Sequence, residues 1–197
     1  MARPEGLSGE IWPIHLKPLD DELLSCWMVR LARAYGVLPV WFWNRVWKRD
    51  AIAYRFVDRS APVELLLLLS AGTGTSYERV VQTTLQPLAD VRSIPAAVPS
   101  LRYCPACLAA DPVPYFRRQW QMGFLLVCPL HGVRLRAACH RCREPLTPEL
   151  LGLDAASIGC CSHCRADLRE HSIAADEPVR SQVLDWERRL WSLLSSG

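Results

Sequence analysis

Residues 104–164 hold four pairs of metal-ligating residue types, each pair separated by two residues, and this constrains the fold more than any other feature. The first set is Cys104-Pro-Ala-Cys107 and, after twenty residues, Cys128-Pro-Leu-His131. The second is Cys139-His-Arg-Cys142 and, after eighteen residues, Cys161-Ser-His-Cys164. A two-residue spacing turns the chain so that both side chains face one ion, and two such knuckles complete a tetrahedron. Thiolate and imidazole ligands select zinc first. Four protein ligands leave no open position, which marks a structural ion. Two structural Zn2+ ions are therefore expected. Sequential pairing gives two closed sets, and an interleaved pairing would satisfy both ions as well. Cys160 precedes Cys161 but lacks the two-residue spacing, and His140 and His163 sit inside knuckles as competing imidazoles.

Clustered thiols bind metal most readily in a reducing compartment. The first twenty residues include Pro4, Glu5, Glu10, His15 and Lys17 and have no apolar core for a signal peptide. The Leu65–Leu69 run is five residues long, far below the ~20 that a membrane helix needs. A cytoplasmic protein without membrane contact is expected.

The fold class expected is α with a small β component, in three parts. Residues 1–100 are predicted to form a helical, helix-turn-helix-like domain, residues 101–171 a tandem zinc-ribbon domain with two zinc sites, and residues 172–197 a C-terminal amphipathic helix. Asp20 is a suitable N-cap for a helix with Leu24, Trp27, Met28, Leu31, Ala34 and Tyr35 on one face. Cys26 falls within this helix as a small buried residue. Pro39 opens a second helix carrying Trp41, Trp43 and Trp47. At about 100° per residue, Trp43 and Trp47 share a face and Trp41 points away. Trp43 and Trp47 are expected in the core and Trp41 in solvent, as a partner contact.

Pro62 opens a third helix, broken at Gly72-Thr-Gly74, and Thr75 to Glu78 has capping-box form for a fourth helix through about Gln86. Two short helices around a glycine turn have the outline of a helix-turn-helix. Residues 91–100 form a linker. Phe124 to Val127 and the alternating Val133, Leu135 and Ala137 predict a hairpin feeding the second knuckle set.

The formal charge is +3, and Lys17 and Lys48 are the only lysines among 23 bases. Seven zinc-bound thiolates and two dications bring the loaded protein near neutrality. A basic stripe survives: Arg117, Arg118, Arg134, Arg136, Arg141 and Arg143 lie in 117–143 with no acid between them. Arginine matches phosphate geometry, so this stripe is a candidate contact for nucleic acid or an acidic partner. No catalytic machinery is visible. There is no Walker glycine loop, no His-x-Glu that would complete a zinc deaminase, no nucleophile elbow and no HExxH helix.

Several motifs together resemble the TniQ family, over roughly residues 11–168. They are Pro18-Leu-Asp-Asp-Glu22, Leu24-Ser-Cys-Trp27, Arg30-Leu-Ala-Arg33-Ala-Tyr-Gly36, Arg102-Tyr-Cys104-Pro-Ala-Cys107, Trp120, Cys128-Pro-Leu-His131-Gly-Val-Arg-Leu135 and the two later knuckles. TniQ proteins are transposon accessory factors related to TnsD target selectors and join a helix-turn-helix region to zinc-ribbon modules. The resemblance implies a non-catalytic adaptor in DNA transposition. Such an adaptor helps select the target site and recruits an AAA+ regulator of the TnsC or TniB kind. The alternative is a zinc-containing DNA-binding transcriptional regulator. Many TniQ proteins continue into a second helical region. Here Pro178 opens one last amphipathic helix with Val179, Val183, Trp186, Leu190 and Leu193. The short form is similar to the TniQ of CRISPR-associated type V-K transposons, which implies an effector–guide RNA complex as a further partner beside target DNA.

Overall fold

The computed structural model describes residues 11–47, 57–86, 101–170 and 181–195. The chain divides into two compact units, Met1–Asp90 and Val91–Gly197. The expected linker at 91–100 lies outside the described residues.

The first unit contains α1 (Leu24–Ala34), α2 (Pro39–Trp47), α3 (Val57–Ser60), α4 (Val63–Thr73) and α5 (Tyr77–Val81). Its core gathers Trp12, Leu24, Trp27, Leu31, Trp43, Leu65 and Leu69. Trp43 is 1% exposed and Trp41 52% exposed, as their separation around a helix dictates. The side chain of Trp47 lies outside the described residues. Cys26 is buried, and its Sγ donates to Glu22 Oε1 (3.2 Å).

Helix α1 is capped from elsewhere in the fold. Its N-cap position is Leu23, not Asp20, and no side chain at that position caps it. Asp20 is instead paired with Arg79 (2.6 Å). Orphan amides at a helix start must still find acceptors. The Leu24 N–H donates to the Thr83 carbonyl (2.9 Å). The Ser25 N–H and hydroxyl donate to the two oxygens of Asp58 (2.8 and 2.7 Å).

Burial pushes the Asp58 carboxyl up to about 6 despite these hydrogen bonds. A raised folded-state value favours the protonated form in the fold, so Asp58 contributes stability below about pH 4 that is lost as pH rises through about 6. The expected loss is about 3 kcal/mol. It is measured as the fall in unfolding free energy between those pH values. Asp58→Asn should flatten that slope, and an identical slope would remove Asp58 as its source.

Helix α4 runs through Gly72 and Thr73, two residues the sequence assigned to a break, and ends at Gly74 (φ +59°). Lys17 Nζ donates to the Thr73 and Gly74 carbonyls (2.5 Å each), placing a cation on the negative end of the helix. Gly72 has a packing reason to be glycine, since a Cβ there would overlap the indole of Trp12. The Trp12 N–H also donates to the Gly72 carbonyl (2.6 Å), so the two backbones cannot separate freely. Gly72→Ala should cost about 3 kcal/mol, typical of overpacking against a fixed ring, read by denaturant unfolding. Gly72→Ala in a Trp12→Leu background should recover part of that loss.

Ser76, not Thr75, caps α5, accepting from the Arg79 N–H (3.3 Å). The helix stops at Val81, short of Gln86. Thr83 and Thr84 donate their hydroxyls to the Val80 and Val81 carbonyls (2.6 and 2.7 Å) and so compete with further helix.

The second unit contains α6 (Pro105–Ala110) and α7 (Ser181–Ser195), with short 3-10 turns between them. Among the described residues, antiparallel pairing consists of isolated bridges, Tyr103 with Arg136, Val127 with Arg134, Ala138 with Pro145 and Cys160 with Asp167. The expected hairpin is thus reduced to one bridge flanking a tight turn. Tyr103, Leu108, Phe116, Trp120, Leu125 and Leu168 form the apolar centre. Helix α7 departs from expectation. Val183, Trp186 (56%) and Leu193 of its apolar stripe are exposed, and among the described side chains of the helix the buried one is Glu187, at 1%. Val179 lies outside the described residues.

Candidate metal centre

Three of the four knuckles share one backbone device. The Cys128 N–H donates to Val133 O (2.8 Å) and the Gly132 N–H to Cys128 O (2.8 Å). Cys139 repeats this with Glu144 (2.9 Å) and Arg143 (3.0 Å), and Cys161 with Ala166 (2.8 Å) and Arg165 (3.0 Å). In each, the residue after the second ligand is left-handed, Gly132 at +67°, Arg143 at +64° and Arg165 at +63°. Glycine meets that requirement freely, whereas an arginine there is strained. The first knuckle is built differently. Cys104 is the N-cap of α6, and its Sγ accepts from the Cys107 N–H (3.4 Å). Pro105 occupies the first helical turn, where a missing N–H costs nothing.

These turns bring together Cys104, Cys107, Cys128 and His131, and separately Cys139, Cys142, Cys161 and Cys164, with the ligand atoms of each group within 4.8 Å of one another. The grouping is sequential, and the interleaved pairing does not occur. Neither group includes Cys160, His140 or His163. Cys160 packs instead with Leu151 and Ala155.

The edges of the two groups match zinc. Bonds of ~2.3 Å to sulfur at tetrahedral angles require sulfur–sulfur edges of ~3.8 Å. Cys107 and Cys128 stand 3.5 Å apart, Cys139 and Cys164 3.7 Å, and Cys142 and Cys161 3.7 Å. His131 turns Nδ1 inward, 3.2 Å from Cys107 Sγ and 3.7 Å from Cys104 and Cys128. The hydrogen bonds that Cys107 shares with Cys104 and Cys128 push its thiol up, and burial adds to this. Hydrogen bonds from Cys104 and Cys107 in turn hold Cys128 down. Donors this close cannot all be thiolate unless a cation lies between them, so both closed sets suit a zinc ion.

The basic stripe is divided. Arg134, Arg141 and Arg143 are exposed, and Arg118 and Arg136 are half-buried. Arg117 is 7% exposed and donates two hydrogen bonds to Asp111 (2.7 and 2.9 Å). Its guanidinium also lies over the Tyr115 and Trp120 rings, 4.3 and 5.0 Å from their centroids. Arg117 is therefore committed inside the fold and offers nothing to an external phosphate.

The TniQ family model matches residues 13–135, more than half of the chain, from before α1 through the whole first metal group. The chain belongs to the TniQ family. It is accordingly a transposition-associated protein. No curated protein matches it. The matched stretch includes Glu22 and Arg30. Glu22 is fully buried, and Arg30 Nε and Nη2 each donate to its carboxylate (2.7 Å). The second cysteine group lies beyond the matched residues. Among the described residues of this TniQ protein, no helix is long and apolar enough to cross a membrane.

Sequence reasoning missed Glu187 and its neighbour Arg102, both buried. A signal for Glu187 was present. In helical projection it falls about 40° from Val183 and about 60° from Leu190, inside the apolar arc. An acid in that position needs buried partners, and it has them.

Proposed function

We propose that this TniQ protein is a non-catalytic adaptor in DNA transposition that helps select the target site and recruits an AAA+ regulator of the TnsC or TniB kind. The observation that carries this is the pair of closed four-donor groups in a member of a transposition family. A closed set scaffolds a surface and leaves no position for a reacting water. The second unit is then a tandem zinc-ribbon module held by two structural ions. Helices α4 and α5 around Gly74 keep the outline of a helix-turn-helix, with a second helix of five residues. So short a helix favours backbone contact over extended base reading. Target DNA is met by the exposed arginines Arg134, Arg141 and Arg143, and Trp41 is the anchor for the AAA+ partner. In an element with a CRISPR effector, the effector–guide RNA complex is a further partner. The protein acts in the cytoplasm.

Capture of the element's AAA+ ATPase by the purified protein, with and without duplex DNA, tests the assignment. Trp41→Ala should leave thermal stability unchanged and weaken capture by tenfold or more, the scale of a centrally placed aromatic anchor. Equal capture removes Trp41 as the anchor. Absence of capture by the unaltered protein defeats the adaptor role. Binding to random duplex should be weak, with a shallow salt dependence, because few phosphates are neutralised.

A further inference from the structure

Helix α7 grips the second knuckle of the first metal group. The Leu126 and Val127 N–H groups donate to the two carboxylate oxygens of Glu187 (3.0 Å each). Arg188 Nε donates to the carbonyl of Pro129 (2.8 Å). The methyls of Leu184 face Gly132, where an added Cβ would meet them at 3.5 and 3.9 Å. Burial pushes the Glu187 carboxyl up, and the two amides and the positive charge of buried Arg102 oppose this; Arg102 Nη2 donates to the Met122 carbonyl (2.5 Å).

The α7 contacts at Leu126, Val127, Pro129 and Gly132 all depend on the shape of residues 126–133. Pro129 and Gly132 belong to the knuckle itself, and Leu126 and Val127 lead into it. That backbone is tied by Cys128 to Val133 and by Leu135 to Leu126 (2.8 and 3.0 Å). An ion bound by Cys128 and His131 would add a covalent-strength tie across the same turn. If the knuckle opens, the two amides lose their alignment and Glu187 is left as a buried carboxylate without donors. Such a group is expelled to water.

We propose that α7 is a latch set by the first metal group, docked when that group holds its ion and released when it does not. Linkage makes the coupling reciprocal, so a docked α7 tightens binding of the ion by that group. Release would also redirect the exposed stripe of Val183, Trp186 and Leu193 that α7 carries. The latch rests on the assignment of zinc to the first group.

The test uses the full chain loaded with Co2+, whose absorption bands distinguish the first group, with three thiolates and an imidazole, from the all-thiolate second group. Hydrogen exchange of residues 184–193 is followed by mass spectrometry in Cys107→Ser, which empties the first group, and in Cys142→Ser, which empties the second. Exchange should rise about tenfold in the first variant and stay near the unaltered rate in the second, within the ordinary range of coupling between two sites. Glu187→Gln, with both groups loaded, should lower the affinity of the first group severalfold in equilibrium extraction by a competing chelator and leave the second unchanged. Unchanged exchange on loss of the first ion overturns the latch. So does equal acceleration in both cysteine variants, or equal extraction from both sites. If the unaltered protein shows no bands of the mixed thiolate–imidazole kind, the zinc assignment itself has failed and the latch falls with it. Bands present with α7 unaffected defeat the latch alone.

Discussion

Chelation of zinc is expected to unfold residues 101–170 while the helices of residues 11–86 persist. The unaltered protein should carry two ions per chain, and Cys107→Ser or Cys139→Ser should each leave one. Structural zinc contributes ~10–16 kcal/mol of apparent binding energy at neutral pH in small modules, and most of that is folding energy. A whole domain is typically stable by only about 5–15 kcal/mol. Among the described residues, the second unit has isolated bridges in place of a sheet, and seven of its cysteines are drawn into the two donor groups. Without the ions, its apolar centre around Tyr103, Phe116 and Trp120 is too small to hold the knuckles closed. Binding is also coupled to protons, because thiols must ionise to ligate. Loading therefore releases protons and weakens as pH falls. Metal analysis, circular dichroism and hydrogen exchange by region report all of this together. One ion or none in well-folded unaltered protein would refute the assignment, as would a second unit that keeps its protection after chelation.

Arg30→Ala should destabilise the first unit by ~3–5 kcal/mol, the range for stranding a buried charge. Glu22 is fully buried and its carboxylate accepts from three residues. They are the Arg30 guanidinium (2.7 Å twice), the Leu19 N–H (2.9 Å) and the Cys26 thiol (3.2 Å). Arg30 Nη2 also donates to the Lys17 carbonyl (2.9 Å), which fixes the segment entering α1. Removing the guanidinium leaves a carboxylate with two neutral donors, one of them a weak thiol, in place of its charged partner. Replacing both partners, Glu22→Gln with Arg30→Met, should cost clearly less than Arg30→Ala alone, because no unpaired charge stays buried. Denaturant unfolding of the single and double variants makes the comparison. A double variant worse than the single one would show that the ion pair itself, not its breakage, supplies the stability.

Much of the second unit was legible from spacing. A Cys-x-x-Cys or Cys-x-x-His knuckle is a local device. Its turn, its ligand direction and its preference for zinc follow from adjacent residues. The eight ligands were therefore visible in the chain itself. Their sequential grouping was not decided by spacing, since an interleaved arrangement satisfies the same ligand count, and only the fold chose between them. The helices of the first unit were likewise legible where apolar periodicity is strong, as in α1 and α2. Their ends were less so. Asp20 is a good cap by residue type, but Arg79 claims it, and the amides of α1 are taken by Asp58 and Thr83 from distant parts of the chain.

Exposure followed the same division. Helical geometry by itself separates Trp41 from Trp43, because rotation per residue is fixed by the backbone. Whether an exposed-looking charge is free is a tertiary matter. Arg117 belongs to the basic stripe by sequence, yet Asp111 and two aromatic rings enclose it. Glu187 belongs to an amphipathic helix, yet its carboxylate is the part that docks. Local sequence determined the candidate metal ligands, the helix-forming segments and the absence of a recognisable catalytic motif, because each depends on residues close together in the chain. Tertiary structure decided which caps are used, which charges are buried and where α7 rests, because each depends on partners as far apart as Leu126 and Glu187. Desolvation sets the cost of leaving such groups unpaired.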